Sequence, residues 1–239
     1  MKYLLYCILR DPAPADGDLA PGVDGAPVFL KAEAGLAAAC SVVSDASLAP
    51  SVPRAMAFAR VVEFLHRTRP VVPFRYGCFL DGEAQVAELL RARRRELEAS
   101  LDAMAGCVEM SLRVLLADGA LPSHRNSAVK KVPDTFSSGR AYLADRSEHY
   151  AALDATQEHA GAAADGLRRA FEGLFVRSEV ETPRGRASHL LSLYFLVSRD
   201  RLEAFREAFR DLQRRSPERM LLTGPWPPYN FVDPSRQGD

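Results

Sequence analysis

The sequence predicts an α+β protein of two domains. Two observations carry that reading. Apolar runs of strand length recur along the chain between longer runs of helical period. In the C-terminal half their order is β-α-β-β-α-β, which builds an antiparallel sheet with both helices on one face.

Residues 3–9 (YLLYCIL) read as the first strand, followed by a loop rich in Asp, Pro and Gly from Asp11 to Pro27. Val28–Leu30 and Leu36–Val43 read as two more strands with Gly35 turning the chain between them. Pro53 suits a first helical turn. Phe58, Val61, Val62 and Leu65 then follow at helical spacing, and Pro70 stops that helix. Val71–Phe79 is strand-like. Val86, Leu89, Leu90, Leu97, Leu101 and Met104 place one long amphipathic helix before Gly106, a suitable C-terminal stop. Its Arg93-Arg94-Arg95 triplet alternates with glutamates and reads as a solvated face with i,i+4 pairs.

The second unit opens at Cys107. Met110, Leu112, Val114 and Leu116 share one face of a strand. Asp118–Ser138 is polar and irregular, and an Ala-rich helix runs from about Gly139 to Phe171. Phe175–Glu181 and Leu190–Val197 form a hairpin around Thr182-Pro183-Arg184-Gly185. Asp200 reads as the N-cap of a helix bearing Leu202, Phe205, Phe209 and Leu212. Arg219–Thr223 is the last strand. The expected domains are therefore 1–106, a smaller or modified α+β unit, and 107–239, a ferredoxin-like unit. Close to its end the sequence carries Thr223-Gly224-Pro225-Trp226-Pro227-Pro228-Tyr229-Asn230-Phe231, with the single Trp and three prolines. Proline lacks an N–H donor and fixes φ, so this segment is expected to leave the sheet as a stiff clasp.

Composition excludes several function classes. Acids and bases balance at 31 each, with 12 bases and 13 acids up to Gly106 and 19 and 18 after it. No basic footprint for nucleic acid results. No apolar stretch approaches the ~18 residues of a membrane span. The apolar run at the N-terminus is too short for a signal-peptide core, and the expectation is a soluble, cytoplasmic protein. Cys7, Cys40, Cys78 and Cys107 are scattered through apolar segments without a C-x-x-C, as buried free thiols rather than disulfides or zinc ligands.

The chemistry-bearing residues do not converge on a catalytic pattern. His66, His124, His149, His159 and His189 show no i,i+4 pairing, and no phosphate-binding glycine loop is present. Ser137-Ser138-Gly139-Arg140 reads as a helix cap or a weak anion site. Arg75, between Phe74 and Tyr76 in an apolar segment, requires a carboxylate, a carbonyl, an aromatic face or a partner, because burying a bare guanidinium is costly. Trp226, Tyr229 and Phe231 either lock the C-terminal segment onto the fold or dock a partner. No catalytic, cofactor or metal residue is predicted.

Several ordered segments carry a family resemblance. They are Tyr3-Leu4-Leu5-Tyr6, Pro73-Phe74-Arg75-Tyr76-Gly77, Gly106-Cys107-Val108-Glu109-Met110, Ser138-Gly139-Arg140-Ala141-Tyr142-Leu143 and Leu222 to Phe231. Together they resemble the gas vesicle proteins GvpL and GvpF along essentially the whole chain. The terminal G-P-W-P-P-Y-N-F is the most specific, with Asn230 where Ser is more usual. The resemblance implies a non-enzymatic minor gas vesicle protein of two α+β domains. Such a protein binds the major shell protein GvpA, other accessory Gvp proteins, or both, during assembly or nucleation. It would be located at the gas vesicle or in the cytoplasm. Its partner-binding residues would be Arg75, Trp226, Tyr229 and Phe231, with no nucleic acid, membrane or small-molecule substrate. The rival reading is a ferredoxin-like regulatory protein that binds a small molecule in a polar pocket containing a perturbed titratable group.

Overall fold

The computed structural model describes residues 2–10, 19–44, 49–116, 158, 160–182 and 190–232. It is a mixed α+β fold with two antiparallel sheets. Contacts group the chain into two compact units. One comprises Met1–Met110, Leu196–Asp200 and Gly224–Asp239; the other comprises Ser111–Phe195 and Arg201–Thr223. By its contacts the terminal segment from Gly224 groups with the first unit.

The first unit is built on β1 (Lys2–Arg10), β2 (Phe29–Glu33), β3 (Leu36–Val43), β4 (Val72–Pro73) and β5 (Phe79–Leu80). The sheet order is β2-β3-β1-β4, with β5 also on β1. Leu4 to Leu9 are six consecutive residues without solvent exposure. An unbroken buried run, rather than an alternating one, marks a strand covered on both faces. Helix α1 (Val52–His66) shares a core with Leu4, Tyr6, Cys7, Ala37 and Ala39 through Ala57, Phe58, Val61, Val62 and Leu65. Ser51 caps α1 by accepting from the Arg54 N–H, and Pro53 sits in its first turn, where a missing donor costs nothing. The β2–β3 hairpin turns through Ala34 (φ 54°) and Gly35 (φ 82°), the two left-handed residues that a tight hairpin of this twist needs.

Two expectations for this unit are corrected. The predicted strand 71–79 is interrupted. Its ends pair with β1 as Ile8↔Val72 and Cys7↔Pro73, then as Leu4↔Phe79 and Tyr3↔Leu80. Continuing the first register would set Tyr76 opposite Leu4; Phe79 stands there instead, so three residues bulge out of the ladder. The bulge is bracketed by Phe74 N–H to the Tyr6 carbonyl and Leu5 N–H to the Cys78 carbonyl. Gly77, at φ 111°, supplies the turn. Arg75 is consequently exposed and not buried in a strand.

The single long helix is broken at Arg93 (φ −105°, ψ 16°) into α2 (Glu83–Ala92) and α3 (Arg94–Ala103). Val86, Leu90, Leu97 and Leu101 are buried, but the stripe crosses positions 93 and 94, where the chain carries two arginines. A straight helix would drive a guanidinium into the core. The break instead lets Arg93 donate twice to Glu96, at 2.6 and 3.2 Å.

The second sheet contains β6 (Cys107–Leu115), β7 (Arg177–Glu181), β8 (Leu190–Ser198) and β9 (Arg219–Trp226), ordered β7-β8-β6-β9. Within the second unit, α4 (residues 160–170) buries Ala160, Ala164 and Leu167, followed by Phe171. Phe195 of β8 meets Phe171 at 5.2 Å and Phe205 of α5 (Leu202–Arg215) at 5.3 Å, while Phe171 stacks on Phe205 at 4.4 Å. These contacts bring α4 and α5 onto the same face of β8. Asp200 does not cap α5. It lies in a short 3-10 turn, Arg199–Arg201, bonded to the Ser198 hydroxyl, and the helix starts after Arg201 without a side-chain cap. The expected hairpin turn at 183–185, the irregular 118–138 segment, most of the Ala-rich helix and Ser137–Arg140 lie outside the described residues.

Candidate functional site

The terminal motif folds onto the first unit. β9 runs through Pro225 to Trp226, further than a proline-rich sequence suggests. β9 is an edge strand, and an edge tolerates the lost donor. Gly224 sets the approach. It has φ 120°, and a Cβ there would stand 2.7 Å from the Glu109 carbonyl oxygen and 2.9 Å from Met110 Sδ. Only glycine combines that backbone conformation with that clearance. The Gly224–Pro225 peptide is cis.

Beyond Trp226 the chain turns inward. Pro227 and Pro228 are buried, and Tyr229–Phe231 form one 3-10 turn. Tyr229 packs on the α1-facing core, and Phe231 and Val232 are buried. Burial raises the Tyr229 hydroxyl pKa strongly, with Cys7, Glu63 and Glu109 adding in that direction, so the group stays neutral. Trp226 faces outward and is 41% exposed.

Asn230 is the hinge pin of this arrangement. Its backbone N–H donates to Glu109 Oε2 at 2.9 Å and its Nδ2 to Glu109 Oε1 at 2.7 Å. Glu109 is buried in β6. Alternation along that strand turns it away from the face of Met110, Leu112 and Val114. The Asn230 side-chain Oδ1 accepts a long contact, 3.5 Å, from Arg75 Nη2 on the β4–β5 bulge. On the same bulge Tyr76 turns the other way, edge-on to Phe58 (5.7 Å) and to Phe79 (6.2 Å). Three separate segments, PFRYG, GCVEM and the terminal PPYNF, therefore meet in one Arg75–Asn230–Glu109 chain.

The structure brings Arg75 to the terminal segment, leaves Trp226 on the surface, and turns Tyr229 and Phe231 into the fold. Sequence reasoning missed Glu109 and Asn230 as the connecting pair. The available signal was an acid on an otherwise apolar strand together with a polar residue inside an aromatic terminal motif.

Two further polar features stabilise or strain this unit. The Val23 N–H donates to the Tyr6 hydroxyl at 3.0 Å. The Tyr6 hydroxyl lies 3.1 Å from Ser41 Oγ, which donates to the Pro27 carbonyl at 2.8 Å. Gly22 is required beside this chain, because a Cβ there would sit 2.2 Å from the Tyr6 oxygen. His66, at the end of α1, is buried with neither ring nitrogen hydrogen-bonded among the described residues. Burial lowers its pKa to about 4, with the nearby Arg199 guanidinium contributing. Arg199 Nη2 itself donates to the His66 carbonyl at 2.7 Å.

Catalytic geometry does not emerge around these residues. Among the described residues no cluster of three or more His, Cys, Asp or Glu could hold a metal. No described helix is long and apolar enough to cross a membrane. Cys7, Cys40 and Cys107 are buried free thiols and Cys78 is half-buried. Burial raises the Cys40 thiol to about 12 and Cys78 to about 11, the opposite of an activated nucleophile. His124, His149, His159 and His189 lie outside the described residues.

A family model described as "Gas vesicle synthesis protein GvpL/GvpF" matches residues 2–233. Gas vesicle protein F2 of Halobacterium salinarum is 27% identical over 167 residues, which are 70% of this chain and 60% of the relative. Gas vesicle protein F of Haloferax mediterranei is 23% identical over 69% of this chain and 61% of its own length. The chain thus spans about 60% of the curated relatives it matches. The crystal structure of GvpF from Microcystis aeruginosa is similar at a TM-score of 0.75 and 16% identity, covering 97% of this chain and 99% of that one. That of GvpF from Anabaena sp. PCC7120 gives 0.72 and 17%, covering 97% and 98%.

Proposed function

Because the chain belongs to the gas vesicle synthesis protein GvpL/GvpF family, we propose that it is a non-enzymatic accessory protein that binds the major shell protein GvpA, other accessory Gvp proteins, or both, during gas vesicle assembly or nucleation. Its place is the gas vesicle and the surrounding cytoplasm. The observation that carries this reading is the outward presentation of Arg75 and Trp226 next to a terminal segment held by Asn230 and Glu109. A part-exposed indole and an exposed guanidinium are residue types enriched at the centres of protein-binding surfaces. Tyr229 and Phe231 anchor the segment and act on binding through its position. An apolar shell subunit must be shielded before it joins a growing wall, and a fixed aromatic surface on a folded adaptor can do this.

The order β9-β6-β8-β7, with α4 and α5 on one face of β8, supports a ferredoxin-like arrangement for residues 107–239. Residues 1–106 then form the companion α+β domain, to which the terminal segment is tied. Co-expression with GvpA tests the functional reading. Co-purification of the two at defined stoichiometry supports it. Failure to co-purify, with GvpA or with any accessory Gvp protein expressed alongside, overturns it.

A further inference from the structure

Every large apolar side chain that the described helices leave exposed lies on α1: Val52 at 77%, Met56 at 56% and Phe64 at 36%. With Arg60 and Arg67 they recur at spacings of three and four, which aligns them on one stripe of the helix. The opposite stripe, Ala57, Phe58, Val61, Val62 and Leu65, is buried in the first unit's core. α1 is therefore apolar on both sides, and a helix of that kind is expected to be covered on both.

The charges on the outer stripe have a distinctive balance. Arg60 and Arg67 flank Phe64, and neither makes an ion pair with a described residue. Glu63, between them, is half-buried and close enough to influence the Tyr229 hydroxyl. On the other helices Arg91 pairs with Glu88, Arg94 with Glu98, Arg206 and Arg210 with Glu203, and Arg214 with Asp211, while Arg95, Arg169 and Arg215 are without an ion pair among the described residues; none of those helices leaves a large apolar side chain exposed, so the combination is particular to α1. Uncompensated arginines around exposed Met and Phe have the composition of an interface rather than of a solvated face.

We propose that the outer stripe of α1 docks an amphipathic helix of another protein, one whose apolar stripe is edged by Asp or Glu. Val52, Met56 and Phe64 supply the apolar contact, as in helix-on-helix recognition read through i, i+4 anchors. Arg60 and Arg67 select the acidic partner, since opposite charges at an interface rim fix specificity and register. A lipid surface fits less well. The buried stripe ties α1 into the unit's core, and three large apolar side chains give little to insert. This surface is distinct from the Arg75–Trp226 surface, and the inference does not rest on the identity of the shell protein.

Fluorescence anisotropy with the full-length protein tests it, using a labelled Leu/Glu amphipathic helical peptide and a Leu/Lys peptide of equal length. The wild type is expected to bind the Leu/Glu peptide about tenfold or more tightly than the Leu/Lys peptide. Met56→Asp should weaken that binding about tenfold. The double variant Arg60→Glu/Arg67→Glu should reverse the preference, an effect that unfolding cannot mimic. Equal binding of both peptides, or an unchanged preference in the double variant, overturns the proposal. So does binding of anionic phosphatidylserine vesicles with no binding of either peptide.

Discussion

Replacing Asn230 with alanine removes the Nδ2 donor from Glu109 Oε1 and the oxygen facing Arg75, while the backbone N–H to Glu109 Oε2 remains. Glu109 is 3% exposed, so water is poorly placed to take over the lost bond. A hydrogen bond to a charged group contributes about 1.5–3 kcal/mol. The Arg75 contact is long and exposed and adds little. The expected loss is therefore about 2 kcal/mol. For a chain of this size each kcal/mol moves the melting midpoint by about 2–4 °C, which predicts a fall of about 4–8 °C by calorimetry. Asn230→Asp should cost more, because it sets a second carboxylate against the first. The control is a double-mutant cycle with Glu109→Gln. The account predicts strong non-additivity, with a coupling of about 1 kcal/mol or more. If Asn230→Ala leaves the midpoint unchanged, or if the two substitutions simply add, the pair does not hold the terminal segment and the reasoning fails.

Two other outcomes follow from the same geometry. The His66 imidazole falls from 6.5 to about 4 on folding. Folded protein therefore binds fewer protons at this group than unfolded protein does. About 3 kcal/mol of stability is present above pH 6.5 and is lost progressively as the pH falls towards 4. Denaturant titrations across that range should show this slope in the wild type and a flatter one in His66→Leu; equal slopes would remove His66 as the cause. Gly224→Ala forces a Cβ to within 2.7 Å of the Glu109 carbonyl oxygen at φ 120°. It should cost on the order of 3 kcal/mol, and a variant as stable as the wild type would show that β9 does not approach β6 in this way.

Much of the architecture was legible because it follows from local periodicity. β1, β3, α1, β6, β8 and α5 occupy the segments that alternation and helical spacing assign to them. The misses occurred where a tertiary constraint outweighs the local pattern. The break at Arg93 comes from two arginines falling on the apolar stripe, a conflict visible only when the stripe is followed through positions 93 and 94. The bulge at Arg75 depends on how both ends of the 72–80 segment pair with β1, which is a matter of register and not of composition. A proline at position 225 predicts an end to the sheet. Its strand lies at the edge, and sequence alone does not reveal strand order. The terminal motif was recognisable from its unusual residues. Its attachment through Asn230 to Glu109, 121 positions away, requires the fold.

The central claim is that the Arg75–Trp226 surface contacts the assembly partner while Asn230 and Glu109 hold it in place. Its most direct test is a quantitative pull-down with co-expressed GvpA, comparing wild type, Arg75→Ala, Trp226→Ala and the α1 double variant Arg60→Glu/Arg67→Glu as a charge control. Each is checked first for an unchanged melting midpoint. The account predicts capture by wild type and by the α1 variant, with marked loss in both Arg75→Ala and Trp226→Ala. Capture undiminished by either of those two substitutions would contradict it and reduce the terminal segment to a device that only holds the fold.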